Sequence, residues 1–231
     1  KVQAIICRTY ALAHITRHAD EGFHLCDQVH CQAYRGKSRF NSLIPLAVKG
    51  TKGKVIVDRN IKLISAAFYS NCGGRTVNSE DIWVNALPYL RSVEDTFCIS
   101  QPNARWEERI PRNTWEDYIA RKQRRYVPDA LQAGKEAETD ITANGMAAGE
   151  VTEASIAPVP VAIIPDRNHS FSSIPAKVLR SDWKFKSGYF TVEEAEDTVI
   201  VKGRGYGHGV GLCQEGAMKM GESGIFYDDI I

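Results

Sequence analysis

Tyr189-Phe190-Thr191-Val192 and Val199-Ile200-Val201-Lys202 are two short runs rich in β-branched and aromatic residues, separated by the mostly acidic stretch 194–197. They read as the arms of a hairpin. A second pair, Lys54-Val55-Ile56-Val57 and Leu63-Ile64-Ser65-Ala66-Ala67-Phe68-Tyr69, flanks the turn-forming Asp58-Arg59-Asn60. Strands that cluster in hairpins, without βαβ alternation, predict an α+β domain with antiparallel strands and argue against a doubly wound parallel sheet. Helices bracket these strands. Val2, Ile5, Ile6, Thr9, Leu12, Ala13 and Thr16 keep helical spacing, which predicts an opening amphipathic helix of about 20 residues, stopped at Asp20-Glu21-Gly22. After the second hairpin, a glycine-rich loop over 203–211 leads into a helix over about 211–220. The expected arrangement is a single domain, 1–231, whose N-terminal helix and C-terminal glycine-loop helix surround a central cleft. Residues 115–122 predict a short helix with Thr114 as N-cap. Residues 129–160, rich in alanine, glycine, glutamate and threonine and lacking periodicity, read as a flexible insertion or linker. A second lobe built from about 109–173 is the alternative.

The chain of 231 residues is 43% hydrophobic, ample for a buried core. Its 29 basic and 28 acidic residues give no large field, so charge supplies no argument for nucleic acid or an anionic membrane. Lys1-Val2-Gln3 falls inside a helical pattern and Asp228-Asp229-Ile230-Ile231 falls where another element starts. The sequence is therefore expected to be a fragment truncated at both ends. On that expectation, the lack of a signal peptide or a long apolar run carries no information about compartment.

Six cysteines are too few for a disulfide scaffold at this length. Cys7, among Ile5, Ile6 and Tyr10, reads as a buried inert thiol. Leu25-Cys26-Asp27-Gln28-Val29-His30-Cys31-Gln32, in contrast, concentrates two thiols and an imidazole beside an acid and an amide. Cys26, His30 and Cys31 are donors suited to zinc. His24 is a candidate fourth ligand and Cys72 a weaker one. Adjacent residues in a strand point apart, so His30 and Cys31 need not share a focus. The competing readings are a Cys26–Cys31 disulfide and a pair of reduced buried thiols. Two further unusual stretches are Ser70-Asn71-Cys72-Gly73-Gly74 and Gly203-Arg204-Gly205-Tyr206-Gly207-His208-Gly209-Val210-Gly211. The latter lacks the lysine-hydroxyl pair of a phosphate-binding loop and follows no dinucleotide-type alternation, so nucleotide binding is not expected. His208 with Cys213 suggests a thiol–imidazole nucleophile, but Cys213 falls in the expected helix, where a small buried residue is the simpler reading. His14 and His18 read as solvated face residues. Glu80 and Asp81 read as caps or surface acids beside a turn, and Glu215 as a structural acid favoured by the helix dipole.

These motifs resemble, in order, those of the stage II sporulation protein D and amidase-enhancer family. The matching segments are Lys1-Val2-Gln3-Ala4-Ile5-Ile6-Cys7-Arg8-Thr9-Tyr10-Ala11-Leu12, residues 26–34, Ser70-Asn71-Cys72-Gly73-Gly74, Pro88-Tyr89-Leu90-Arg91-Ser92-Val93 and residues 203–217. The resemblance implies a bacterial, extracytoplasmic protein of the cell envelope acting on peptidoglycan glycan strands. Enzymatic members are lytic transglycosylases, which cleave the MurNAc–GlcNAc bond and leave 1,6-anhydro-muramyl ends. Some members bind zinc. The family's catalytic glutamate falls three positions before the lysine matching Lys1, so no catalytic residue is assigned within the chain, and the chain as written is expected to be inactive. Gln32, Ser70, Tyr206, His208 and Gln214 are the expected substrate contacts: Tyr206 offers an aromatic face, His208 and Gln214 offer hydrogen bonds, and glycines permit close backbone approach to a sugar polymer. The alternative for the glycines is a tight strand-to-helix connection needing positive φ, and for Gln32 and Ser70 a turn or packing role. Two other functions remain open: a non-catalytic wall-binding modifier that stimulates a partner amidase, and a metal-stabilised interaction domain.

Overall fold

A computed structural model describes residues 1–34, 36, 41–132 and 174–231. In chain order the elements are α1 (Val2–Ala13), a 3-10 turn (Ala19–Glu21), α2 (Leu43–Lys49), β1 (Phe68–Tyr69), 3-10 turns at Ser79–Asp81 and Thr96–Cys98, β2 (Arg105–Pro111), α3 (Arg112–Gln132), α4 (Ala176–Trp183), β3 (Phe190–Glu194), β4 (Thr198–Arg204), β5 (Leu212–Cys213), α5 (Gln214–Glu222) and α6 (Tyr227–Ile230). The α+β class read from the sequence is the observed one. The chain divides into two compact units, one formed by Lys1–Arg105 with Arg204–Ile231 and the other by Trp106–Gly203.

In the second unit the expected hairpin forms. β3 and β4 pair antiparallel, with Val192 opposite Val201, and β2 lies on the other side of β4. Val199 and Val201 alternate inward and join Trp106, Ile110, Trp115, Tyr118, Ile174, Leu179 and Phe185 in one apolar core. Trp106 lies so flat on β4 that a Cβ on Gly203 would fall 2.1 Å from its ring. Helix α3 begins at Arg112, not after Thr114. The Arg112 side chain donates to the Glu196 carbonyl and the Glu194 carboxylate, and its N–H donates to the Asp197 carbonyl, so the β3–β4 turn fixes the helix start. Thr114 instead bonds Asn113 and is no cap. The helix also continues past Lys122 to Gln132, so residues 129–132 of the expected irregular stretch are helical. The remainder of that stretch, from 133, lies outside the described residues.

In the first unit α1 is shorter than its periodicity suggests. His14 ends it, its backbone N–H donating to the Tyr10 carbonyl and its Nδ1 bonded to the same oxygen, and the chain turns through His18 to Gly22. The hairpin expected from 54–69 reduces to one antiparallel bridge, Val57 with Leu63. The Asp58 N–H donates to the Lys62 carbonyl and the Ile64 N–H to the Ile56 carbonyl, but the ladder stops there: the Ile56 N–H donates to the Thr9 hydroxyl of α1, and Arg8 donates to the Thr51 and Lys54 carbonyls. Ile56 and Ile64 pack on Val2, Ile6 and Ala66. The second run delivers instead β1, which pairs parallel with β5, Phe68 opposite Leu212 and Tyr69 opposite Cys213. Helix α5 therefore starts at Gln214, three residues after the glycine loop, with Cys213 as its cap.

Leu179, fully buried among the aromatic side chains of the second unit, tests that core. Leu179→Ala should lower unfolding free energy by about 2–5 kcal/mol in urea titrations, the range for emptying a packed leucine site.

Candidate functional site

The glycine loop is shaped by the chain it crosses. Gly211 has φ +83, and a Cβ there would lie 2.3 Å from the Ala67 carbonyl oxygen; Gly205 has φ +73, and its Cβ would lie 2.6 Å from the Asn71 carbonyl oxygen. Residues with side chains do not fit at either position. Asn71 and Tyr206 exchange both backbone hydrogen bonds, at 3.1 and 2.8 Å. The glycines thus serve the tight connection, laying one backbone against another.

That contact places Ser70, just after β1, beside the first turn of α5, where the Glu215 N–H donates to the Ser70 carbonyl at 2.9 Å. Together with the N-terminal end of α1 they border a groove of about 710 Å³, lined by Lys1, Gln3, Ser70, Gln214, Phe226 and Tyr227 among others. Gln214 donates to the Gln3 side chain at 3.1 Å across this groove. Phe226 is 75% exposed and offers an open aromatic face. Lys1, Gln3, Phe226 and Tyr227 were not among the expected contacts. The aromatic pair Phe226-Tyr227 is the signal that could have suggested them.

The expected substrate residues do not all meet. Ser70 and Gln214 share the groove, whereas Gln32, Tyr206 and His208 are not part of its lining. Gln32 donates to the Cys7 carbonyl of α1 at 3.0 Å. The His208 ring packs against Tyr69 and Trp83, at 5.2 and 5.3 Å between centroids, and its Nδ1 accepts the Val210 N–H. Tyr206 is exposed.

Among the acids, Glu215 is buried. One carboxylate oxygen accepts from Asn71 Nδ2 at 2.6 Å and the other from Asn103 Nδ2 at 2.5 Å. Both oxygens are engaged, which makes it a strut at the edge of the groove that it also lines. Asp81 closes a capping box with Asn78. Glu80 forms a bidentate pair with Arg91, whose hydrogen bonds hold its carboxyl below the usual glutamate range. Cys213 accepts the Gly216 N–H as a cap and is buried, in agreement with its simpler reading as a buried residue. Burial pushes the Cys7 thiol up, against a hydrogen bond from Gln3.

The cysteine-rich loop brings His18, Cys26, His30 and Cys31 together, with ligand atoms all within 4.8 Å. His30 and Cys31 do share a focus, because the segment is a series of turns and not a strand. His18 joins them, correcting its reading as a solvated face residue: α1 has already ended, so the helical spacing that paired it with His14 does not apply. His24 turns away to the Ile15 carbonyl, and Cys72 lies in another cluster. Cys31 Sγ stands 3.4 Å from His18 Nε2 and 3.7 Å from His30 Nδ1, and Cys26 Sγ 3.9 Å from His30 Nδ1. Tetrahedral zinc with ordinary Zn–S and Zn–N bonds sets such pairs about 3.6 Å apart. The donor set and spacing therefore fit zinc. Glu21 accepts from His18 Nδ1 at 2.5 Å, the carboxylate–histidine pairing that orients metal-bound imidazoles. Arg17 bonds the His30 carbonyl and the Tyr10 hydroxyl, tying the loop to α1.

Residues 1–57 match the family described as Stage II sporulation protein. Along its whole length the chain is similar to the amidase enhancer of Bacillus subtilis, 27% identical over 266 residues and 36% of that protein. It is likewise similar to stage II sporulation protein D of Bacillus amyloliquefaciens, 29% identical over 256 residues and 64% of it. An uncharacterized protein of Brachyspira hyodysenteriae is 28% identical over 232 residues, 58% of its length. The chain spans between 36% and 64% of the length of these relatives.

If Glu215 is the strut described, Glu215→Ala leaves the buried Asn71 amide with only its bond to the Cys98 carbonyl and should cost about 1–3 kcal/mol in thermal or urea unfolding.

Proposed function

As a relative of the stage II sporulation protein D and amidase-enhancer proteins, the chain is, we propose, part of a bacterial lytic transglycosylase of the cell envelope that cuts peptidoglycan glycan strands. The observation that carries this reading is the position of the groove. Lys1 and Gln3, at the N-terminal end of α1, line it opposite Ser70 and Gln214. A glutamate three positions before Lys1, where the resemblance puts the catalytic acid, would approach the groove from this same end.

One carboxylic acid suffices for the reaction. It protonates the glycosidic oxygen as the bond to the departing sugar breaks, and as carboxylate it then accepts the proton of the C6 hydroxyl while that oxygen closes the anhydro ring. Hydrolysis by the usual route would call for a second carboxylate. Such an acid needs a setting that keeps it protonated near neutral pH. Within the groove, Gln3, Ser70 and Gln214 supply hydrogen-bonding groups, and Phe226 supplies an apolar face for a sugar ring.

Zinc held by His18, Cys26, His30 and Cys31 would cross-link the loop after α1. With four protein ligands it is a closed site, and its contribution is to rigidity. The second reading, a modifier that binds the wall and stimulates a partner amidase, is favoured by the similarity of the chain to 36% of a protein named amidase enhancer.

A chain extended upstream through that glutamate should release anhydro-muramyl ends from amidase-treated peptidoglycan, detected by mass spectrometry. Its Glu→Gln variant should be slower by about 10²–10⁴-fold. Intact glycan that still binds the protein would replace the enzyme reading with the modifier one. For the metal, Glu21→Ala should weaken zinc binding at this loop by about 10–100-fold in competition with a chromophoric chelator; unchanged affinity would remove His18 from the ligand set.

A further inference from the structure

A second group of soft donors lies within the same unit, deeper in the fold. Cys72 follows β1, Asp95 caps the turn that carries Cys98, and Cys213 caps α5; their ligand atoms all lie within 4.8 Å of one another. Every one is buried: Cys98 completely, Cys72 to 3% exposure, Asp95 to 4% and Cys213 to 6%. Cys72 Sγ stands 3.3 Å from Cys98 Sγ and 3.3 Å from Asp95 Oδ2. Tetrahedral zinc would set those pairs about 3.8 and 3.5 Å apart, so half an ångström of adjustment accommodates the ion.

Three features call for a cation here. The Asp95 carboxylate is buried, yet no lysine, arginine or histidine among the described residues forms an ion pair with it. Two backbone N–H groups and the Cys72 thiol offset part of the cost of burying it, and a cation among the thiols would supply the missing counter-charge. Backbone donors already orient the group: Phe97 and Cys98 N–H groups occupy Asp95 Oδ1, leaving Oδ2 turned to Cys72, and the Gly216 N–H donates to Cys213 Sγ. Tyr69 packs in the same cluster with a buried hydroxyl that has no hydrogen-bond partner among the described residues. Gly216 is held bare by the same geometry, since a Cβ there would lie 2.1 Å from Asp95 Oδ2.

We propose that Cys72, Asp95, Cys98 and Cys213 form a second, buried metal site that takes a thiophilic divalent cation such as zinc. Binding transfers the thiol protons to water and leaves three thiolates and one carboxylate around the ion. The site is closed and structural. It clamps the segment after β1, the Thr96–Cys98 turn and the start of α5, and so lies directly behind Ser70 and Gln214 in chain order. It does not depend on the transglycosylase reading.

The test is zinc stoichiometry by elemental mass spectrometry on the chain purified under reducing conditions and dialysed against buffer. About two zinc ions per chain are expected, falling to about one in Asp95→Asn and to about one in the Cys26→Ser/Cys31→Ser pair. Zinc-edge X-ray absorption on that pair should show a shell of three sulfurs and one lighter atom. Should the pair fail to fold by circular dichroism, the unmodified chain decides, because five sulfurs among eight ligands are expected from its two sites. A ratio of about one that is untouched by Asp95→Asn overturns the proposal. So does a Cys72–Cys98 disulfide, found by peptide mapping, that persists in the reduced protein in place of the second ion.

Discussion

The first unit depends on a seam between two backbones, the segment 66–76 and the segment 204–216. Its tightest point is the approach of Gly211 to the Ala67 carbonyl, where there is no room for a Cβ and the φ of +83 favours glycine. The Asn71–Tyr206 bridge and the β1–β5 pair lengthen the seam on either side of that point. Glu215 then closes it, because its two carboxylate oxygens hold one amide from Asn71 and another from Asn103. A buried carboxylate is costly alone; with two amide donors it joins three chain segments at one atom group.

Both sites of the unit follow from the seam. Side chains alternate along an extended backbone, and the short parallel pair sets Tyr69 opposite Cys213. The residues that follow, Ser70 and Gln214, line the groove. Two positions beyond Ser70, Cys72 turns into the buried cluster with Cys213 and Cys98. Groove and cluster are thus successive products of one register.

Much of this was legible in the sequence, and the failures have physical causes. The β3–β4 hairpin was readable because its pattern and its pairing are both local. The first hairpin was not, since Thr9 of α1 takes the Ile56 N–H that a neighbouring strand would have bonded; a competing side-chain acceptor leaves no trace in strand propensity. His18 was misread for a related reason. Helical spacing carried through residue 16, but His14 had already ended α1 by bonding its own helix carbonyl, and beyond that point the chain turns His18 towards Cys31. The thiol cluster escaped reading because its members come from three distant places in the chain, Cys72, the Asp95–Cys98 turn and Cys213, and only the fold brings them together. The motif order, in contrast, carried the family resemblance, which depends on sequence and needs no knowledge of the contacts.

The two clusters also differ in what holds them, and the difference bears on function. The loop site draws His18, Cys26, His30 and Cys31 from one short stretch, anchored to α1 through Arg17, Tyr10 and Gln32. A metal there would stiffen a loop whose Cys26 and His30 are not buried. The deeper cluster sits among Tyr69 and the caps of α5 and the Thr96–Cys98 turn, where the backbone is already fixed by hydrogen bonds. There the need is electrostatic, compensation of the Asp95 carboxylate. The groove is therefore bordered by two fixed elements: α1, tied to the cysteine-rich loop, and the Ser70–Gln214 edge, which adjoins Cys72 and Cys213 in sequence. Five of the six cysteines fall in the two clusters; the sixth, Cys7, lies apart in α1.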